Sequence, residues 1–224
     1  MKKILLIILS LILMLSVSSC GKAEKEDEIK ADELNWKIED EVLIISGYGK
    51  MPDYIDENGE LTERPWDGKE DEFYIVEIEE GITSVGAGAF KDFQNIFEVN
   101  LPQSLTSIGE SAFERCTSIG SIDFESNLEK IEANAFKNCY SLYELNIHDN
   151  VTSIGDAAFS RCYVLSKVKI SDSIESIGTK AFKGSLDAKI IEFEGTKARW
   201  EELGGMSLVD ENDTVICSDG TFGE

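Results

Sequence analysis

Hydrophobic and polar positions repeat every 23 residues along residues 82–196, in five successive units without insertion or deletion. Each unit carries an Ala-Phe pair at one fixed place and three apolar residues, spaced as in L-x-x-L-x-L, at another. The repeating phenylalanines are Phe90, Phe113, Phe136, Phe159 and Phe182. Such a register predicts a solenoid, in which each coil buries its apolar side only by stacking on its neighbours.

The period and the L-x-x-L-x-L core are typical of a leucine-rich-repeat solenoid. In each unit this core predicts a short strand, and the strands of successive units should stack in parallel, about 4.8 Å apart. A second apolar segment, LTSIG in the second unit, should point inward and turn at its glycine. Glu132 replaces that glycine in one unit, so a positive φ is not required there. About seven residues separate each phenylalanine from the next strand, too few for an α-helix, so we expect 3₁₀ or irregular turns. The expected fold is therefore predominantly β.

The segments on either side of the repeats are predicted to cap the open ends of the solenoid. Residues 34–81 begin with an alternating segment, a turn and an apolar run, which predict a β-hairpin. Trp66 is a single large apolar anchor, and the repeat phase already starts with a half unit at residues 73–78. Residues 197–224 predict a short helix containing Trp200, followed by a final strand.

The N-terminus has the features of a secretory signal. Residues 1–19 contain two lysines and then a long apolar run, and they end in small residues directly before Cys20. Val-Ser-Ser-Cys at this point resembles the bacterial lipobox, so we expect the lipid to be attached to Cys20. A plain transmembrane anchor is the less favoured alternative. Residues 20–33 are highly charged and lack large apolar side chains, which predicts a disordered acidic tether.

Charge and the reactive side chains exclude several functions. A formal net charge of -23 argues against electrostatic binding to nucleic acid or to anionic lipid. His148 is the single histidine and has no motif around it that would make a catalytic site. The acidic runs at residues 56–60 and 210–213 lack the spacing of a calcium loop. We therefore predict no enzyme activity, no cofactor, no metal and no small-molecule substrate.

Three cysteines recur at the repeat period, at Cys116, Cys139 and Cys162. They could form a redox or metal ladder. We instead predict reduced thiols that fill a narrow edge of the core, because Phe93 and Ser185 occupy the equivalent positions in the outer units.

Specific segments carry a family resemblance. The unit S-I-G-x-x-A-F-x-x-C resembles the BspA-like leucine-rich repeats of bacterial surface proteins. The flanks agree with it, namely W-K-I-E-D-E-V-L-I-I-S-G-Y-G-K-M before the repeats, then F-E-G-T-K-A-R-W and C-S-D-G after them. The resemblance implies a β solenoid at a bacterial surface, often credited with adhesion to host proteins or cells. It implies no enzyme and no defined binding residues.

The outward positions of the predicted strands form the candidate partner-binding face, because side chains alternate across a strand. This face is acidic or neutral in three units and turns basic in the fourth, where Lys189 is an expected neighbour. Solvated positions without a selected role are the alternative. Tyr140, Tyr143 and Tyr163 are further candidates for surface positions. The predicted binding residues are Glu98, Asn100, Asp123, Glu144, Asn146, Lys167 and Lys169.

Two functions fit these observations. One is a lipid-anchored surface module that binds a protein or a cell-surface glycan, with adhesion as a special case. The other is an accessory or structural envelope lipoprotein without a soluble partner.

Overall fold

The structure is a computed structural model that describes residues 34–124 and 127–222. The predicted signal peptide, Cys20 and the tether lie outside the described residues. In chain order the strands are β1 Asn35–Glu39, β2 Val42–Ser46, β3 Gly49–Lys50, β4 Ile75–Ile78, β5 Ile82–Val85, β6 Glu98–Asn100, β7 Ser107–Ile108, β8 Lys130–Ile131, β9 Glu144–Ile147, β10 Ser153–Ile154, β11 Lys167–Ile170, β12 Ser176–Ile177, β13 Ile190–Phe193, β14 Thr214–Cys217 and β15 Gly220–Phe222. Helix α1 spans Lys197–Glu202, and a 3₁₀ helix spans Gly205–Leu208.

The strands stack in two rows, which confirms the predicted β solenoid. Row one contains the L-x-x-L-x-L strands and consists of two sheets, in the orders β1-β2-β4-β6 and β15-β14-β13-β11-β9. Row two contains the second apolar segment of each coil, in the order β12-β10-β8-β7-β5-β3. All neighbours are parallel except β1 with β2 and β14 with β15, so an antiparallel hairpin closes each end of row one. The predicted hairpin, short helix and final strand of the caps are confirmed.

Row one is interrupted in the second unit, where the sequence predicted a strand. Residues 121–124 form no strand, and the single bridge here joins Ser121 to Glu144 of the next unit. Ile122 and Phe124 still point inward, as the repeat phase requires. The ring of Phe124 packs edge-on against Phe136 and more distantly against Phe159, with centroids 5.8 and 6.4 Å apart. Within the described residues, no strand pairing joins this segment to β6.

The third side of each coil is a run of hydrogen-bonded turns, which we call the turn row. The first four repeat phenylalanines donate their backbone N–H to the alanine carbonyl of the next coil, as from Phe113 to Ala135 over 2.8 Å, and Phe182 donates to the carbonyl of Leu208 in the C-terminal cap. Two residues per unit adopt a left-handed conformation to make these turns. The non-glycine residues among them are Asp92, Ser111, Arg115, Asn134, Asn138, Ala157, Arg161 and Lys180. Irregular turns are thus confirmed, whereas the 3₁₀ helix lies in the C-terminal cap.

The recurring glycines are explained by close approach of the preceding coil. Gly109, Gly155 and Gly178 do not have the positive φ that favours glycine. A Cβ atom on Gly155 would lie 2.4 Å from the backbone nitrogen of Ala133 in the coil before it. The spacing between coils therefore limits side chains at these three glycines, whereas the third unit accommodates Glu132 at the equivalent position.

A column of stacked aromatic rings forms the centre of the core. The five repeat phenylalanines are buried, with centroids of successive rings 5.1 to 5.7 Å apart and nearly parallel planes. Trp66 extends the column at its N-terminal end, 5.5 Å from Phe90, and donates its indole N–H to Ala89. The predicted burial of the phenylalanines and the anchoring role of Trp66 are confirmed.

Lys189 is buried, so its predicted position beside the exposed lysines of row one is wrong. Its side chain is completely buried, and its ammonium contacts Asp213 at 2.5 Å and Asp210 at 3.2 Å. The Ser185 hydroxyl accepts a third hydrogen bond from it. The C-terminal cap brings the two aspartates over this position, and their charges compensate the buried ammonium.

Candidate protein-binding face

The outward side chains of row one form a face that we call the strand face. All seven predicted binding residues lie on it and are exposed, which confirms their predicted orientation: Glu98, Asn100, Asp123, Glu144, Asn146, Lys167 and Lys169. Register pairs them in columns across the coils. For example, Glu144 lies beside Lys167, and Asn146 lies beside Lys169.

The lysines of the fourth unit are neutralised by acidic residues of the fifth. Lys167 lies 3.5 Å from a carboxylate oxygen of Glu192, and Lys169 lies 2.7 Å from one of Glu194. The hydrogen bond and charge of Glu194 raise the pKa of Lys169 above its ordinary value. The strand face is therefore acidic in its first units and paired in its fourth, in contrast to the basic end that the sequence predicted.

The interruption of row one opens two adjoining recesses in the strand face. The larger has a volume of about 330 Å³, and the smaller about 230 Å³. Asp123 lines both and therefore stands between them. The larger recess is lined by Ser121, Ile122, Asp123, Glu144, Asn146 and His148; the smaller is lined by Val99, Asn100, Leu101, Gln103 and Asp123.

The recesses bring together four of the predicted residues and leave three outside. Asn100, Asp123, Glu144 and Asn146 line them, whereas Glu98, Lys167 and Lys169 do not. The sequence reasoning missed His148 and Gln103, which follow β9 and β6 in the chain and line the two recesses. Carboxylate, amide and hydroxyl groups converge here, and Val99 and Ile122 also contribute to the lining, so the site suits hydrogen bonding to a cationic or amide-bearing group.

Exposed aromatic rings border the strand face. Phe97 and Tyr143 are each about half exposed and directly precede the first outward residues of their strands. Gly120 occupies the equivalent position in the unit between them. A Cβ atom built on Gly120 would lie 3.8 Å from the Tyr143 ring. The rings of Tyr140 and Tyr163 stack 4.7 Å apart on the neighbouring corner. This border gives the acidic face apolar and cation–π contacts at its edge.

The cysteine column lies inside the turn row. Cys116, Cys139 and Cys162 are buried, and each thiol donates to the phenylalanine carbonyl of the preceding coil over 3.0 to 3.3 Å. Burial raises the pKa of Cys162 to about 12 and also raises the pKa values of Cys116 and Cys139. These thiols are packing groups. Across the described residues, no group of three or more His, Cys, Asp or Glu side chains is arranged to hold a metal ion.

Fold and face together define a leucine-rich-repeat solenoid with an exposed polar strand face. The model of the BspA type leucine rich repeat region matches residues 69–189 in six copies. This match covers more than half of the chain, so the protein belongs to the BspA-type leucine-rich-repeat family. Proteins of this family are cell-surface proteins and are typically binding scaffolds.

Solved structures are similar in fold. A leucine rich cell surface protein from Faecalibacterium prausnitzii is 23% identical with a TM-score of 0.55, over 85% of this chain and 54% of that one. A leucine-rich repeat protein from Bacteroides ovatus is 24% identical with a TM-score of 0.53, over 74% of this chain and 47% of that one. The chain thus spans about half the length of each. No curated protein matches the sequence. In residues 34–124 and 127–222, no helix has the length and apolar character needed to cross a membrane.

Proposed function

We propose that the protein is a binding module displayed on the outer face of a bacterial membrane, which holds a cationic protein segment on its strand face. The observation that carries this proposal is the double recess around Asp123. Its lining brings the carboxylates of Asp123 and Glu144 together with several amide groups, while the lysines elsewhere on the face already contact Glu192 and Glu194. A partner that supplies lysine or arginine side chains would match the acidic character of this recess.

Charge complementarity favours a protein over a neutral glycan. The chain carries a net charge of -23, so a basic partner would be steered toward it from a distance and would bind more weakly in salt. The half-exposed rings of Phe97 and Tyr143 add apolar area at the border of the same face. Adhesion would follow if the partner belonged to a host surface.

A paired-variant experiment tests the binding face. The purified protein is immobilised and exposed to host-matrix and bacterial cell-wall extracts, and captured proteins are compared between two double variants. Asp123→Asn with Glu144→Gln neutralises the recess, whereas Glu129→Gln with Glu132→Gln removes the same charge from exposed positions away from row one. We expect the recess variant to weaken capture about tenfold and the control to leave it nearly unchanged.

Two results would count against the strand face. An equal loss of capture in both double variants would show that net charge, and not the recess, determines binding. Failure of the unmodified protein to capture any partner would favour an accessory envelope role. Reversal of Lys167 and Lys169 to glutamate provides a further check, because a cationic partner should bind this variant at least as well as the unmodified protein. Reversal of Lys130 and Lys137, which lie off this face, is the matched control.

The membrane anchor is a separate part of the proposal and rests on the Val-Ser-Ser-Cys sequence that ends at Cys20. Cys20→Ala should leave the leader uncleaved and abolish incorporation of radiolabelled palmitate. Retention of the label by this variant would remove the anchor from the proposal without affecting the binding face.

A further inference from the structure

A groove at the N-terminal end of the solenoid forms a second site, away from the strand face. It has a volume of about 460 Å³, within the range of ligand-binding clefts. Its walls come from the first strand and from the loop that follows β3, which places them on the cap that precedes the repeats. The lining residues are Leu34, Trp36, Pro52, Tyr54, Glu63, Arg64 and Pro65.

Tyr54 supplies a hydroxyl at the floor of this groove. The residue is 6% exposed, and its ring packs edge-on against Trp66 with centroids 5.5 Å apart. No hydrogen bond joins the hydroxyl to another described residue, and its oxygen is not fully enclosed, so it opens into the groove. Burial raises the pKa of Tyr54, which keeps the hydroxyl protonated and able to donate.

The groove is held open by fixed backbone contacts. Tyr54 donates its backbone N–H to Ala87 over 2.7 Å and accepts from Thr62 over 2.9 Å. The Arg64 guanidinium donates to the carbonyls of Gly88 and Lys91 and pairs with Asp67. Its hydrogen-bonding groups are thus used to fix the loop, which leaves the Tyr54 hydroxyl as the donor that faces a ligand.

We propose that this groove binds a proline-rich segment in the polyproline II conformation, flanked by a basic residue. Three properties of the site match such a segment. Trp36, Tyr54 and the two prolines form an apolar surface for prolyl rings. Proline lacks an N–H, so its free backbone groups are carbonyl acceptors, and the groove offers the Tyr54 hydroxyl as a donor. Glu63 and the exposed acidic loop at residues 56–60 favour a cation beside the prolines.

The test uses a synthetic peptide of six prolines with a lysine at each end, and a control peptide in which glycine and serine replace the prolines. Binding to the purified protein is followed by the three indole N–H signals in NMR. Trp66 and Trp200 are fully buried, so we expect a saturable shift of the Trp36 signal alone, with the proline peptide and not with its flexible control.

Conservative variants decide whether the groove is the site. Tyr54→Phe keeps the buried ring and removes the hydroxyl, and it should weaken binding about fivefold. Tyr48→Phe makes the same change at an exposed tyrosine outside the groove and should have no effect. Glu63→Gln should weaken binding and reduce its dependence on salt.

Other results would overturn the proposal. They are equal binding of both peptides, an unchanged affinity of Tyr54→Phe, or no shift at Trp36 at any peptide concentration. A shift with oligomers of N-acetylglucosamine in place of the peptide would assign the groove to a carbohydrate. A shift on raising the protein concentration alone would assign it to a second copy of the chain.

Discussion

Removal of the central phenylalanine ring should be the most destabilising change in the aromatic column. Phe136 is completely buried between Phe113 and Phe159, at centroid distances of 5.1 and 5.3 Å, and Phe124 packs edge-on against it. Phe136→Ala leaves a cavity shared by both neighbouring coils. Deletions of this kind cost about 3–5 kcal/mol, and the loss of several aromatic contacts places Phe136 toward the upper end.

The position of a phenylalanine in the aromatic column determines how much its replacement by alanine should lower the free energy of unfolding. Phe182 has one ring neighbour in the column, Phe159 at 5.7 Å. Each aromatic pair is worth about 0.5–1.5 kcal/mol beyond burial, so Phe182→Ala should cost about 1 kcal/mol less than Phe136→Ala. Phe97 is half exposed at the border of the strand face, and Phe97→Ala should change the free energy of unfolding by less than about 0.5 kcal/mol.

Urea denaturation followed by circular dichroism measures these free energies. If Phe136→Ala does not fold, Phe136→Leu keeps most of the volume and should lose about 1–2 kcal/mol. The aromatic column would be refuted as the centre of stability if Phe136→Ala and Phe97→Ala had the same midpoint. A cost for Phe182→Ala equal to that for Phe136→Ala would refute the additive stacking.

Two further substitutions and one labelling experiment test the packing of the coils and of the C-terminal cap. Gly155→Ala should cost about 1–3 kcal/mol in urea denaturation, because its Cβ would overlap the backbone of the preceding coil. Asp213→Asn should cost about 3–5 kcal/mol in the same assay, because it leaves the Lys189 ammonium buried without its main counter-charge. Cys162 should resist iodoacetamide at pH 8.5 until urea unfolds the protein, as mass spectrometry would show. Its raised pKa also implies stability that is complete below pH 9 and falls as the pH rises toward about 12.

Matched controls separate these effects from general sensitivity. A Cβ on Gly120 would have no contact closer than 3.8 Å, so Gly120→Ala should be nearly neutral. Asp187 is exposed, and Asp187→Asn should not change the denaturation midpoint. If Gly120→Ala and Asp187→Asn cost as much as Gly155→Ala and Asp213→Asn, the explanations by backbone overlap and by the buried Lys189 charge would be wrong. Rapid alkylation of Cys162 in the native protein, or a crosslink to Cys139, would contradict the buried reduced thiol.

Much of the fold could be predicted because the repeat length is fixed, so the same position is buried or exposed in most units. The phase of Phe136 within its unit predicts its burial, and the phase of Glu144 predicts its exposure. Both hold because stacked coils of equal length place equivalent residues in columns. The backbone hydrogen bonds of the turn row and the glycine contacts could not be predicted, because they depend on the distance between coils and not on any residue type.

The failures lie where a residue's surroundings come from outside its own unit. Lys189 occupies a column in which Tyr143 and Ser166 are exposed, so the repeat phase predicts exposure. Its burial depends on Asp210 and Asp213, which belong to the cap and have no counterpart in the repeats. The gap in row one was also not predicted, since Ile122 and Phe124 fit the pattern and are buried, yet residues 121–124 form no strand.

The remaining contacts of the second unit explain how the solenoid tolerates a gap in row one. Row two runs without interruption through this unit, with Ile108 paired to Val85 on one side and to Ile131 on the other. Phe113 also keeps its place in the aromatic column. Two of the three sides therefore fix the coils while the third is free to open. A recess built in this way has a rigid base, which favours binding because little order must be imposed when a partner arrives.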